Sequence, residues 1–247
     1  MFQRAALLLG EKTMRTVSEK KVILFGVGGV GSWCAEALVR SGIKHLTIVD
    51  FDKVCITNIN RQLMATSETI GELKVEALKK RLLEINPHAS VTAISEPFTE
   101  TSAGKFHLET FDYIVDAIDS LADKMHLILA ACETKAKFFS SMGAARKLNP
   151  SEIQVADFFK VAGCPLARAL RTKLKAKKLK PAKKFKCVYS SEHIEIPSEN
   201  LPQGEILNAN NSKGSLVHIT GIFGFTLAGL IINDIFNTVK SEPVKSE

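Results

Sequence analysis

The chain has no Cys-x-x-Cys pair, and its five cysteines, Cys34, Cys55, Cys132, Cys164 and Cys187, are scattered and odd in number. This excludes a zinc site of paired thiolates and a disulfide framework, and it suits free thiols in a reducing, cytoplasmic setting. No charged-then-apolar pattern opens the chain, so no signal peptide is expected. No long apolar run is unbroken. Leu216–Ile232 comes nearest, but it holds His218 and Thr220 and is interrupted by Gly221, Gly224 and Gly229. It is short for a membrane span and reads as a core helix, so no membrane partner is expected. Asp and Glu are absent from Phe158 to Ser191. Ten Lys and Arg lie within Arg168–Lys186, and without them 23 basic residues face 26 acidic ones, so the net +7 belongs to one segment. Such a block suits a polyanion, nucleic acid first, or else is a solvated helix face or loop with no partner.

What is present alternates. Lys21–Phe25, His45–Val49, Ser90–Ile94, Tyr113–Val115 and Lys137–Ser140 are short runs of strand formers. Between them, Ser32–Arg40, Lys74–Ile85 and Leu121–Glu133 carry apolar residues at helical spacing. The alternation predicts an α/β fold, a Rossmann-like mostly parallel sheet covered by helices on both faces. After Gly143 the rhythm changes. Glu152–Phe158 and Cys187–Ser190 are expected as strands, Ser198–Gly214 as loop and Val217–Phe236 as an apolar closing helix. With no internal repeat, residues 1–247 read as one domain: a nucleotide-binding core over 1–150, a basic insertion over 151–214 and a C-terminal helix over 215–247 returning to the core.

Gly26-Val27-Gly28-Gly29-Val30-Gly31 follows a strand and opens a helix. In that context Gly26 permits a tight turn, Gly28 and Gly29 leave the backbone bare for phosphate, and Gly31 lets the helix pack on its strand. The helix N-terminus adds free N–H groups and partial positive charge. Asp50, 19 residues past Gly31, is placed for a ribose. No GK[ST] follows, so this is not a P-loop, and the turn alone leaves NAD, FAD and ATP open. Three later patches favour a triphosphate: Asn58–Gln62, Gly71–Lys74 and Asp116–Ser120. Arg61 and Lys74 supply fixed cations, and Asp119, at a strand's carboxyl end, suits Mg²⁺. Individually each has a plainer reading, as a surface ion pair, an exposed helix residue or a helix cap.

GVGGVGS, Val49–Val54, Thr57–Gln62, Gly71–Lys74 and the Asp116–Ser120 run together resemble the ThiF/MoeB superfamily, relatives of the ubiquitin-activating enzymes. The resemblance implies an enzyme that binds ATP and adenylates a carboxylate, releasing pyrophosphate. It implies Asp50 on the ribose, Asn58 and Arg61 facing the phosphates, Lys74 at the α-phosphate and Asp119 as the Mg²⁺ ligand. Asp52, Gln62 and Asp116 fall in the same motifs and are counted with the nucleotide site. Arg4 matches an arginine supplied across a dimer interface, implying a homodimer with Arg4, Arg61, Lys74 and Asp119 as catalytic residues.

Gly26–Trp33, Ser141–Pro150, Pro165–Arg171 and Lys186–Glu192 further resemble the branch of that superfamily that dehydrates threonylcarbamoyladenosine in tRNA, which lacks the zinc site. Three places depart from its pattern: Cys164 stands where Asp is usual, Arg146 where a small or amide residue is usual, and the tail positions around Gly214–Gly224 also differ. The implied reaction adenylates the threonyl carboxylate and closes it to a cyclic form, releasing AMP and pyrophosphate. Arg168, Arg171, Lys173, Lys175, Lys177 and Lys178 are then expected on tRNA phosphates. A bound alkali cation is compatible with this branch, although no ligand set in the sequence demands one. The rival readings are activation of a ubiquitin-like or sulfur-carrier protein, an NAD-dependent oxidoreductase, and an RNA-binding protein without catalysis. Cys187, beside the basic block, reads as a buried strand thiol before a thioester nucleophile.

Overall fold

The computed structural model describes residues 1–197 and 214–241. Seven strands form one sheet: β1 (Lys21–Phe25), β2 (His45–Val49), β3 (Ser90–Ile94), β4 (Tyr113–Asp116), β5 (Lys137–Ser141), β6 (Ile153–Asp157) and β7 (Lys186–Ser190), in the order β3-β2-β1-β4-β5-β7-β6. All neighbours pair in parallel except β6, which runs antiparallel to β7 at the edge. Val22–Phe25 and the whole of β4 are buried without in–out alternation, as a sheet covered on both faces requires. The strand order reverses between β1 and β4, and a crevice opens at their carboxyl ends, where open parallel sheets bind ligands.

Helices α1 (Gln3–Leu9) and α2 (Glu11–Glu19) precede the sheet, and α3 (Gly31–Arg40), α4 (Lys74–Ile85), α5 (Leu121–Glu133), α6 (Pro165–Ala176) and α7 (Val217–Ser241) cover it. One face buries Leu38, Leu78, Phe223 and Leu227 from α3, α4 and α7. The other buries Met125, Ile128, Ala167 and Leu170 from α5 and α6. Each of the larger of these side chains contributes on the order of 1.5–3 kcal/mol of burial, and Ala167 about 1 kcal/mol or less. Helix α7 is long and apolar enough to cross a membrane. Here its buried stripe Ile219, Phe223, Leu227, Ile231 and Ile235, spaced four apart, packs within the domain.

The expected strands and helices form with near-identical limits. The strand at Lys137 does not end the series, because β7 joins it in parallel and β6 then closes the edge. The basic block lies between these two strands, as α6 and the turn after it. Helices α1 and α2 have no counterpart in the sequence expectations. The final helix extends to Ser241, and the expected loop at Ser198–Gly214 falls, apart from Gly214, outside the described residues.

Candidate active site

The glycine turn sits at the switch point. Gly26 has φ 84°, and a Cβ there would lie 2.7 Å from the Ala117 carbonyl oxygen, so only glycine fits beside the β4 turn. A Cβ on Gly31 would stand 1.8 Å from the Gly26 carbonyl oxygen. Gly31 therefore lets α3 close onto the turn and does not itself line the cleft. Gly26, Gly28 and Gly29 do line it, in a cavity of about 790 Å³.

Asp50 follows β2 and points at the turn. Its carboxylate accepts the Val27 N–H at 2.8 Å and the Asp52 N–H at 2.9 Å, which fixes its orientation and leaves lone pairs for further donors. Burial lifts its pKa above the ordinary Asp range, against the pull of Lys74 and these two N–H groups. Lys74 returns to Asp52 because Lys53 bridges Leu73 in antiparallel fashion, with the Lys74 N–H donating to the Asp52 carbonyl at 3.0 Å. The Lys74 ammonium, 7% exposed, then pairs with the half-exposed Asp52 carboxylate at 2.7 Å. Both chains line the cleft, so a buried cation faces the turn with a partner at its mouth.

The short helical turn at Ile56–Asn58 presents the next group. Asn58 is buried, and its side-chain oxygen accepts the Cys55 N–H at 3.0 Å, fixing the turn. Arg61 donates to the Thr57 carbonyl and the Asn60 side chain, both at 2.9 Å, and among the described residues no carboxylate pairs with it. Trp33 on α3 donates to the Arg61 carbonyl at 3.0 Å, which ties this turn to the glycine turn. Gln62 is 6% exposed, and its side-chain oxygen is buried in the cleft wall with no hydrogen-bond partner.

One expected nucleotide contact is corrected. Asp116, fully buried, does not line the cleft. Its carboxylate pairs with the fully buried Lys124 at 2.8 Å and accepts Ser140 Oγ at 2.6 Å and the Ile118 N–H at 3.0 Å. Lys124 also donates to the Ile118 carbonyl at 2.8 Å. The pair holds the β4–α5 turn in shape and leaves Asp119, three residues on, exposed on the cleft wall. The sequence run shows two carboxylates, and strand geometry takes one inward.

The far wall of the cleft was not read from the sequence as a site. Ser141–Lys147, Cys164, Pro165, Leu166 and His193 line it. Ser141–Pro150 carried a resemblance, but no spacing relates it to the glycine turn, which lies more than a hundred residues earlier. Arg146 has φ 58°, a left-handed conformation that favours Gly or Asn. Its N–H donates to the Gly214 carbonyl at 2.9 Å and its carbonyl accepts the Ile194 N–H at 3.0 Å.

Arg4 lies on α1, exposed and outside this chain's cleft. On α6 and its C-terminal turn, Arg168, Lys175, Lys177 and Lys178 are exposed and Lys173 is half-buried. Arg171 is half-buried, donates to the Phe158 carbonyl at 3.0 Å and lies over that ring at 5.9 Å. Cys187 is fully buried and burial pushes its thiol pKa far up, which suits the strand-thiol reading.

A mostly parallel sheet whose switch point joins a glycine turn, the Asp50 carboxylate and the Arg61 and Lys74 cations in one cleft is the architecture of a nucleotide-binding α/β protein. Residues 2–242 match the ThiF family model, and the chain belongs to the ThiF family. It is 34% identical over 252 aligned positions to the tRNA threonylcarbamoyladenosine dehydratase of Bacillus subtilis, spanning 100% of this chain and 98% of that protein. It is 33% identical over 238 positions to the Escherichia coli protein of the same name, spanning 91% and 89%. A crystal structure of E. coli tRNA N6-threonylcarbamoyladenosine dehydratase in complex with ATP matches with a TM-score of 0.86 at 31% identity, covering 98% of this chain and 96% of that one.

Proposed function

We propose that this protein is an ATP-dependent dehydratase that cyclises threonylcarbamoyladenosine in tRNA. The observation that carries this reading is the convergence of Gly26–Gly29, Asp50, Arg61, Lys74 and Asp119 on one cleft, in a chain similar over its length to dehydratases of that name. ATP lies with its ribose on Asp50 and its phosphates over the glycine turn and the α3 N-terminus, Asn58 and Gln62 lining that pocket. Arg61 and Lys74 neutralise charge at the α-phosphate, where it grows during attack. A threonyl carboxylate oxygen attacks the α-phosphorus and pyrophosphate leaves. A nucleophile of the same modified base then attacks the activated carbonyl, and AMP leaves. The second step is intramolecular, which lowers its barrier through proximity.

Mg²⁺ fits the donor set on this wall. The ion keeps waters and takes one or two carboxylates plus phosphate oxygens. Asp119 is such a carboxylate, and among the described residues no cluster of three or more His, Cys, Asp or Glu offers a protein cage. The ion, once bound, supplies charge neutralisation for the phosphates. Arg4 belongs to a partner's site in this reading. Helix α1 buries none of its residues and leaves Leu7 and Leu8 about 80% exposed, which favours docking on a second copy. The exposed Arg168, Lys175, Lys177 and Lys178 on α6 and the turn after it take tRNA phosphates.

The test is nucleoside mass spectrometry of modified tRNA incubated with the protein and ATP. A nucleoside lighter by one water, formed together with AMP and pyrophosphate, is expected. ATP-dependent modification of a carrier protein, with tRNA unchanged, would overturn the reading.

A further inference from the structure

Lys147 is 4% exposed, yet it lines the far wall of the cleft. Its ammonium donates to the carbonyl of Ser190 at 3.0 Å and to that of Glu192. Among the described residues no carboxylate lies within ion-pair distance of it. The nearby Glu192 carboxylate is held by the N–H groups of Leu148 at 2.8 Å and Asn149 at 3.0 Å. An ammonium has three donors, and among the described residues two are used. The result is a buried positive charge with neutral partners and one donor left, which is costly unless an anion completes it. Burial lowers its pKa, in keeping with that cost.

The same wall carries the start of α6. Cys164 is its N-cap and makes no side-chain cap, so the first turn's N–H groups add positive potential beside Lys147. The glycine turn, Arg61 and Lys74 already answer the phosphates on the near wall. A carboxylate matches one remaining donor and one unit of positive charge, whereas a phosphate brings more acceptors and more negative charge than this wall answers.

Building on the function proposed above, we infer that Lys147 is the subsite for the acceptor carboxylate, holding the threonyl carboxylate opposite the α-phosphate. The carboxylate loses its charge as it becomes an acyl phosphate. Its attraction to Lys147 is therefore stronger before the reaction than after, and the residue governs substrate binding and selectivity more than turnover.

The test compares the nucleoside N6-threonylcarbamoyladenosine with its threoninamide analogue as inhibitors of the tRNA reaction. The wild type prefers the carboxylate by about 10- to 100-fold, the range of a hydrogen bond to a charged group. Lys147→Met and Lys147→Gln abolish that preference and raise KM for tRNA by a similar factor, with kcat and ATP affinity little changed. Glutamine retains N–H donors for the two carbonyls, so it separates charge from the loop clamp. Lys147→Arg restores the preference. Three outcomes overturn the inference: no preference in the wild type, a preference surviving in Lys147→Gln, or equal weakening of both analogues, which marks a clamp alone. Failure of the wild type to convert tRNA would instead remove the function on which the inference rests.

Discussion

Replacing Gly224 by alanine tests how α7 supports the nucleotide turn. A Cβ there would lie 2.5 Å from the Val30 carbonyl oxygen, 2.8 Å from the Cys34 nitrogen and 2.9 Å from Trp33 Cβ. Two of these three atoms are backbone at the start of α3, so α7 must move away from α3. Overpacking of this kind costs about 1–3 kcal/mol. Alanine recovers about 0.5–1 kcal/mol of helix propensity. The net loss is about 1–2 kcal/mol, and for a chain of this size that lowers Tm by roughly 2–8 °C. Because Val30 belongs to the glycine turn, ATP affinity should fall with Tm. Gly229 supplies the control on the same helix, since a Cβ there meets nothing within 4 Å. Gly229→Ala should raise Tm slightly and leave ATP binding alone. Thermal unfolding with and without ATP measures both. If the two variants shift Tm in the same direction, or Gly224→Ala binds ATP like the wild type, close α3–α7 contact does not hold the turn in place.

Lys74→Met should cut the rate of pyrophosphate release by about 10²–10³, the effect of losing one preorganised charge in a cleft, as read by single-turnover kinetics. Alanine at Lys175, Lys177 and Lys178 together should weaken tRNA binding at low salt and reduce the log–log salt slope by about 2–3, with ATP affinity unchanged. Unaltered tRNA affinity would remove α6 from the interface. Glu36 is buried, which raises its pKa, but hydrogen bonds and charge from Arg81 and Arg40 outweigh this and hold it below its ordinary value. Its contribution is therefore present above about pH 4.5 and is lost as the pH falls through the lowered value. Glu36→Gln should flatten the acid side of the stability–pH curve in thermal denaturation, and an unchanged slope would show that Glu36 is not coupled to folding.

Sequence alone determined the seven strands, helices α3, α4, α5 and α7, and the nucleotide turn. Those features are local: Val22–Phe25 is an unbroken apolar run, Val75, Leu78 and Leu82 recur at helical spacing, and Gly26 and Gly31 obey sterics within one turn. Short-range period and turn chemistry write themselves into neighbouring residues. The tertiary structure decided which charges act. Asp116 and Asp119 are three residues apart and chemically identical, yet only the first ends buried strand β4, where Lys124 on α5 and Ser140 on β5 meet its carboxylate. Arg171 carries the same charge as Lys175, yet Phe158, thirteen residues before it, binds it. Lys147 joins the cleft because β7 pairs beside β5 and brings the Ser190 carbonyl to its ammonium. Burial and partner choice are set by contacts between distant segments, and no spacing along the chain encodes them.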